Sequence, residues 1–138
     1  MNPISGTMSK AAIPSLIEKY LNHDCFDYEI AKTAYAGHAV ELATKAKDEG
    51  IDIVVAVGGD GTVNEVGRAL AQSNTALGII PCGSGNGLAR HLMLPMNIAK
   101  AIQIINEAEI HALDYGIIND HPFFCTCGMG FDAAVSKT

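Results

Sequence analysis

The apolar run Ile53-Val54-Val55-Ala56-Val57 leads directly into Gly58-Gly59-Asp60-Gly61-Thr62-Val63-Asn64-Glu65. No polar residue interrupts the run, so it reads as a strand buried on both faces, as parallel strands covered by helices are. The glycines turn the chain, and Thr62 to Ala71 reads as a helix with an apolar stripe at Val63, Val66 and Leu70. Strand, glycine turn and helix in that order make a seat for phosphate. Missing Cβ atoms let backbone amides close on an anion, and the helix N-terminus adds a partial positive charge. The arrangement recurs at once: Ala76 to Ile80 is a second buried strand, followed by Pro81-Cys82-Gly83-Ser84-Gly85-Asn86-Gly87-Leu88-Ala89-Arg90. Two glycine-rich strand ends so close in sequence predict one nucleotide cleft built from both.

The flanking segments fit an α/β domain. Ile13, Leu16, Ile17, Tyr20 and Leu21 recur at helical spacing, with Pro14 placed in the first turn. Asp27 to Ala31 reads as a short strand. Ala39, Leu42, Ala43 and Ala46 mark an amphipathic helix that ends before Gly50. Ile98, Ala101, Ile102 and Ile105 mark another. From about residue 109 the pattern changes. Ile110 to Ile118, a turn at Asn119-Asp120, and Pro122 to Cys127 read as an antiparallel hairpin leading towards a second, β-rich domain.

Composition narrows the function. The 138 residues fit a single domain able to bury a core, and 49% of them are hydrophobic. A net charge of −6 at pH 7 argues against general nucleic-acid binding, which relies on dense Lys and Arg. Cys25, Cys82, Cys125 and Cys127 have no zinc spacing and are read as reduced, structural residues. His23, His38, His91, His111 and His121 are scattered without ligand spacing, and Asp114 and Asp120 read as strand-end and turn residues. No signal peptide or membrane-spanning run is visible, and the expected location is the cytoplasm. Met1-Asn2-Pro3 opens without an apolar strand to feed the Asn-Pro turn, and Ala133 to Thr138 carries no stop signal. A fragment of a longer protein is expected.

Each motif has a plainer reading. Thr62-Val63-Asn64-Glu65 matches a capping box, in which Thr62 caps the helix and Glu65 reaches back. That leaves Asp60 unexplained, since a cap needs no acid between glycines. A phosphate site that also handles Mg²⁺ does use one, because the metal combines few carboxylates with phosphates and retained water. There is no G-x-x-x-x-G-K-[ST] sequence, which excludes a P-loop. Gly59-x-Gly61-x-x-Asn64 lacks the third glycine of the dinucleotide fingerprint, and no acid follows the next strand to hold a ribose. Gly83 to Gly87 suits a second wall of the phosphate site. Arg90 is read as a surface residue in preference to a phosphate ligand.

Taken together these residues resemble the diacylglycerol kinase catalytic-domain family, which includes bacterial lipid kinases, sphingosine kinases and ceramide kinases. Asn2-Pro3-Ile4-Ser5-Gly6 is similar to the family's N-terminal turn, and Thr33 to Ala39 to a segment with a nucleotide-contacting threonine. Gly58 to Glu65 is similar to the signature loop, Pro81 to Arg90 to the second glycine loop, and Gly130-Phe131-Asp132-Ala133 to the domain junction. The resemblance implies a three-layer α/β nucleotide-binding domain of the NAD kinase/diacylglycerol kinase type, lacking its C-terminal β-sandwich partner. It implies ATP contacts at Asn2, Pro3, Ile4, Ser5, Gly6, Thr33, Gly58, Gly59, Asp60, Gly61, Thr62, Val63, Asn64 and Ser84. Asp60 would organise Mg²⁺, partly through water. Ser84 stands where members more often carry Thr, and Gly87 where they often carry Asp.

The expected activity of the parent protein is transfer of the γ-phosphoryl group of ATP to a lipid hydroxyl, of diacylglycerol or sphingoid type. The family's general base belongs to the C-terminal domain, so this chain is expected to bind ATP without turning over alone. A peripheral membrane contact and self-association through an exposed sheet edge complete the expected partners. Two alternatives remain: an NAD kinase, which shares the Gly-Gly-Asp-Gly loop, and a non-catalytic nucleotide-binding or self-associating module.

Overall fold

The computed structural model describes residues 10–123. After a 3₁₀ turn at Lys10–Ala12, the elements are α1 (Ile13–Tyr20), α2 (His38–Asp48), β1 (Ile53–Gly58), α3 (Asp60–Leu70), β2 (Ala76–Pro81), α4 (Gly87–His91), α5 (Ile98–Glu107), β3 (Gly116–Ile118) and β4 (His121–Phe123). β1 and β2 pair in parallel, Ile53 opposite Ala76 through to Gly58 opposite Pro81. β3 and β4 form a separate antiparallel pair. Asn119 and Asp120 take positive φ, 49° and 64°, which matches the twist a two-residue hairpin turn needs.

The sheet alternation builds two cores, one on each face. Ala56 of β1 and Ile79 of β2 point into a cluster with Ala39 and Ala43 of α2, Val63, Val66 and Leu70 of α3, and Leu88 and Ala89 of α4. Their neighbours Val57 and Ile80 point the other way, onto Ile13 of α1 and Ile98, Ala101 and Ile102 of α5, with Cys82 among them. Helices therefore cover both faces. The three-layer arrangement expected from the sequence is present.

Helix ends follow local chemistry. Pro14 sits in the first turn of α1, where its missing amide costs nothing. Asn97 caps α5, its side chain accepting from the Lys100 amide at 3.0 Å. Gly50 takes φ +76° just beyond α2. Ala108, which closes α5, adopts φ +52° without glycine's freedom.

Three expectations are corrected. Asp27–Ala31 is not a strand: it belongs to neither sheet, because a ladder needs a neighbour and none lies beside it among the described residues. The hairpin is shorter than Ile110 to Ile118 implied. Among the described residues Gly116–Ile118 is the part that pairs, and Ile110 is 72% exposed. The capping box does not form either. α3 begins at Asp60 with Gly59 as its cap residue, Thr62 lies inside the first turn, and no side chain caps the helix. Glu65 is turned to a different donor, the Gly37 amide at 3.2 Å. Cys125, Cys127 and Gly130 to Ala133 lie outside the described residues.

Candidate functional site

A cleft of about 510 Å³ opens where the two strands end. Gly59, Asp60, Gly61 and Thr62 line one side, Gly83, Ser84 and Gly85 another, and Thr33 to Ala36 a third. Both glycine loops therefore reach one cavity, as their spacing after successive strands requires.

The loops meet backbone to backbone. A Cβ on Gly83 would lie 2.5 Å from the Gly59 Cα, and one on Gly59 would lie 3.1 Å from the Gly83 Cα. Ordinary carbon contacts are about 3.5–4.0 Å. Gly83 therefore has no room for a Cβ, and one on Gly59 would need the facing backbone to give by a few tenths of an ångström. A Cβ on Gly85 would come within 2.8 Å of the Asp60 carboxylate and would make that side chain shift.

Side chains lock the second loop. Asn86, buried and at φ +53°, accepts from the Gly83 amide at 2.9 Å and donates to the Gly83 carbonyl at 2.7 Å. Arg90 donates from Nε to the Gly85 carbonyl at 2.8 Å. Its guanidinium is thus a loop strut, in keeping with the surface reading. Asp60 joins the two loops: its Oδ1 accepts from the Gly87 amide at 2.6 Å. A charge-assisted bond of that kind is roughly twice as strong as a neutral one.

The N-terminus of α3 supplies the electrostatics. The first intrahelical bond runs from the Val63 amide to the Gly59 carbonyl at 3.1 Å. The amides of Gly61 and Thr62 precede it and have no intrahelical acceptor. They sit in residues that line the cleft, at the positive end of the helix. Asp60 and Glu65 are the acidic residues of the lining. No group of three or more His, Cys, Asp or Glu stands ready for a metal among the described residues. One or two carboxylates beside an anion-binding helix end suit Mg²⁺ carried in by a polyphosphate, and do not suit a cage that binds the ion alone.

Of the residues singled out in the sequence, Thr33, Gly59, Asp60, Gly61, Thr62 and Ser84 line this cleft. Gly58 lies behind it, its Cα packed so close that a Cβ would meet the Thr62 hydroxyl at 2.7 Å. Val63 is buried in the core, and Asn64 sits half-buried on α3 away from the lining. Asn2, Pro3, Ile4, Ser5 and Gly6 lie outside the described residues. Sequence reasoning missed Tyr35 and Glu65 as wall residues. The Tyr35 ring stacks on His38 at 4.4 Å, and its hydroxyl donates to Glu41 at 2.7 Å, which raises the phenol above its ordinary pKa. Nothing in a lone Tyr-Ala-Gly-His string announces that stack.

Fold and site together define a three-layer α/β domain with a two-loop glycine cleft at its strand ends. The model of the diacylglycerol kinase catalytic domain matches residues 1–118, and the chain belongs to that family. Curated relatives include a diacylglycerol kinase of Staphylococcus saprophyticus, 35% identical over 125 aligned positions, with 88% of this chain and 41% of the relative covered. Another, from Chromohalobacter salexigens, carries the name "Probable lipid kinase YegS-like" and is 38% identical over 74% of this chain and 34% of its own. Among solved structures, a diacylglycerol kinase from Bacillus anthracis superposes with a TM-score of 0.75 at 29% identity, covering 88% of this chain and 45% of that one. The chain spans between about a third and two fifths of the length of these curated relatives.

Proposed function

We propose that this chain is the ATP-binding part of a lipid kinase that transfers the γ-phosphoryl group to a lipid hydroxyl of the diacylglycerol or sphingoid type. The observation that carries the reading is the convergence of both glycine loops on one cleft, with the Gly61 and Thr62 amides at the α3 N-terminus. Transfers of this kind depend mainly on positioning and on neutralising charge. The amides hold the polyphosphate, and Thr33 and Ser84 offer hydroxyls from the facing walls. Asp60 fixes the second loop through Gly87, and its carboxylate would hold, partly through water, a Mg²⁺ that enters with the nucleotide. The bound metal would offset phosphate charge. Asn2 to Gly6 are further candidates for nucleotide contact.

The general base and the acceptor wall are assigned to the part of the relatives' length that this chain does not span. Alone, the chain binds ATP and does not turn over. A cytoplasmic location with peripheral contact at a membrane fits a lipid acceptor. Among the described residues no helix is long and apolar enough to cross a membrane.

The test is a chimaera in which this chain replaces the matching part of the Staphylococcus saprophyticus relative. Supplied with γ-labelled ATP, it is offered diacylglycerol, a sphingoid base and NAD. Label on a lipid is the expected result. Label on NAD with none on any lipid would move the assignment to an NAD kinase.

A further inference from the structure

α4 ends in a turn that local chemistry reserves for glycine. The Met93 amide donates to the Arg90 carbonyl at 3.0 Å, and the Leu94 amide reaches the Ala89 carbonyl at 2.8 Å. Those two bonds make a Schellman motif with Met93 at its left-handed position, φ +56°. Glycine takes that conformation without strain, whereas a side chain there crowds the backbone. The Met93 side chain gains no packing in return: it is 90% exposed, the most of any large apolar residue among the described ones. Leu94 and Met96 pack against the core cluster that holds Leu88 and Ala89, so the turn is anchored while Met93 projects. Leu92, 38% exposed, adds apolar surface beside it.

The charge along this part of the chain is unlike that of the rest. The net charge is −6, yet all 15 acidic residues lie before Val66 or after Asn106. Between those positions the charged residues are Arg68, Arg90 and Lys100. Arg90 and His91 precede the tip, Lys100 follows it in the first turn of α5, and all three are exposed. An exposed apolar side chain flanked by cations matches a lipid surface with anionic headgroups. The cations meet the phosphates, and the thioether enters the apolar layer. Two apolar side chains offer far less surface than a stable protein contact buries.

We propose that the α4–α5 connection, with Met93 at its tip, docks the chain on a bilayer that carries anionic phospholipid. The choice of a bilayer rests in part on the lipid-kinase reading; the choice of residues rests on the turn and its charges. α4 begins at Gly87, whose amide is held by Asp60, and leads directly to the tip. One short helix therefore joins the docking point to the glycine cleft, and the nucleotide site is held close to the bilayer.

The probe is sucrose-loaded vesicles of equimolar phosphatidylcholine and phosphatidylglycerol, with phosphatidylcholine alone as the neutral surface. Co-sedimentation of the 138-residue chain is the readout. Met93→Gly removes the tip and relieves the left-handed strain, so its melting temperature should equal or exceed that of the parent. Met93→Trp supplies a single reporter, because the sequence contains no tryptophan. Three results are expected: uptake on the anionic vesicles, binding about tenfold weaker for Met93→Gly, and a blue shift of the introduced indole on those vesicles. No uptake by the anionic vesicles overturns the proposal. Equal uptake of parent and Met93→Gly overturns it too, as does uptake with unshifted indole emission, since another surface is then in contact. A dimer that Met93→Gly abolishes, without vesicle uptake, would assign the tip to a protein contact instead. ATP binding is followed by calorimetry on parent and Met93→Gly alike. A chain that binds ATP and ignores the vesicles loses the docking surface and keeps the nucleotide cleft.

Discussion

Replacing Gly83 by Ala tests whether the two glycine loops touch as described. The new Cβ would sit 2.5 Å from the Gly59 Cα and 3.0 Å from the Asn86 side-chain oxygen. Relief to an ordinary carbon contact requires the loops to part by about 1 Å or more. Backbone lies on both sides, so no rotamer change can absorb the clash. Gly59 is tied to the end of β1 and the start of α3, and Gly83 to Asn86 by two hydrogen bonds. Overpacking costs about 1–3 kcal/mol, and a broken hydrogen bond adds about 1 kcal/mol. The expected loss is about 2–4 kcal/mol, on the order of 10 °C in melting temperature for a chain of this size. Gly61→Ala is the matched control. Nothing lies within 4 Å of its Cβ position, and Gly61 sits in the first turn of α3. Greater helix propensity should leave it as stable as the parent, or up to about 1 kcal/mol more so. Thermal melts of the two variants followed by circular dichroism decide the matter. A Gly83→Ala chain that melts with the parent would refute the close approach.

Asp60→Ala removes the acceptor of the Gly87 amide and should cost about 1.5–3 kcal/mol in denaturant titration, while Asp60→Asn, which keeps an oxygen, should restore most of it. Ala108→Gly relieves a left-handed residue at the end of α5 and should stabilise by about 1 kcal/mol. Burial raises the Cys82 thiol above its ordinary pKa. The unfolded thiol ionises first, so its contribution to stability is full below about pH 8.5 and is lost as pH rises through the folded pKa. Cys82→Val should flatten that alkaline decline in urea melts taken across pH. In native chain, alkylation mapped by mass spectrometry should mark exposed Cys25 well before buried Cys82.

The layered architecture was legible because β1 and β2 are apolar at consecutive positions, which only a strand covered on both faces tolerates. The cleft was legible for the same reason, since each buried strand ends in glycines and the next helix begins there. What failed depended on distant partners. Thr62 and Glu65 have the spacing of a capping box, yet Glu65 meets an amide at Gly37 that lies far away in sequence. Asp27–Ala31 carries Tyr28 and Ile30 at alternate positions but joins neither sheet among the described residues, and pairing is a property of two segments. Tyr35 reaches the cleft because His38 and Glu41 hold it there, a geometry set by the start of α2. Gly87 shows the reverse. The resemblance marked it only as a departure from an expected carboxylate, and its amide here serves the carboxylate of Asp60.

The central claim is that the glycine cleft is a nucleotide site organised by Asp60. Calorimetric titration of ATP into this chain, with and without Mg²⁺ and in parallel with Asp60→Ala, tests it most directly. The account predicts saturable binding that strengthens with Mg²⁺ and weakens in the variant. A folded chain that takes up no ATP, or one that binds it equally well without the Asp60 carboxylate, would contradict it.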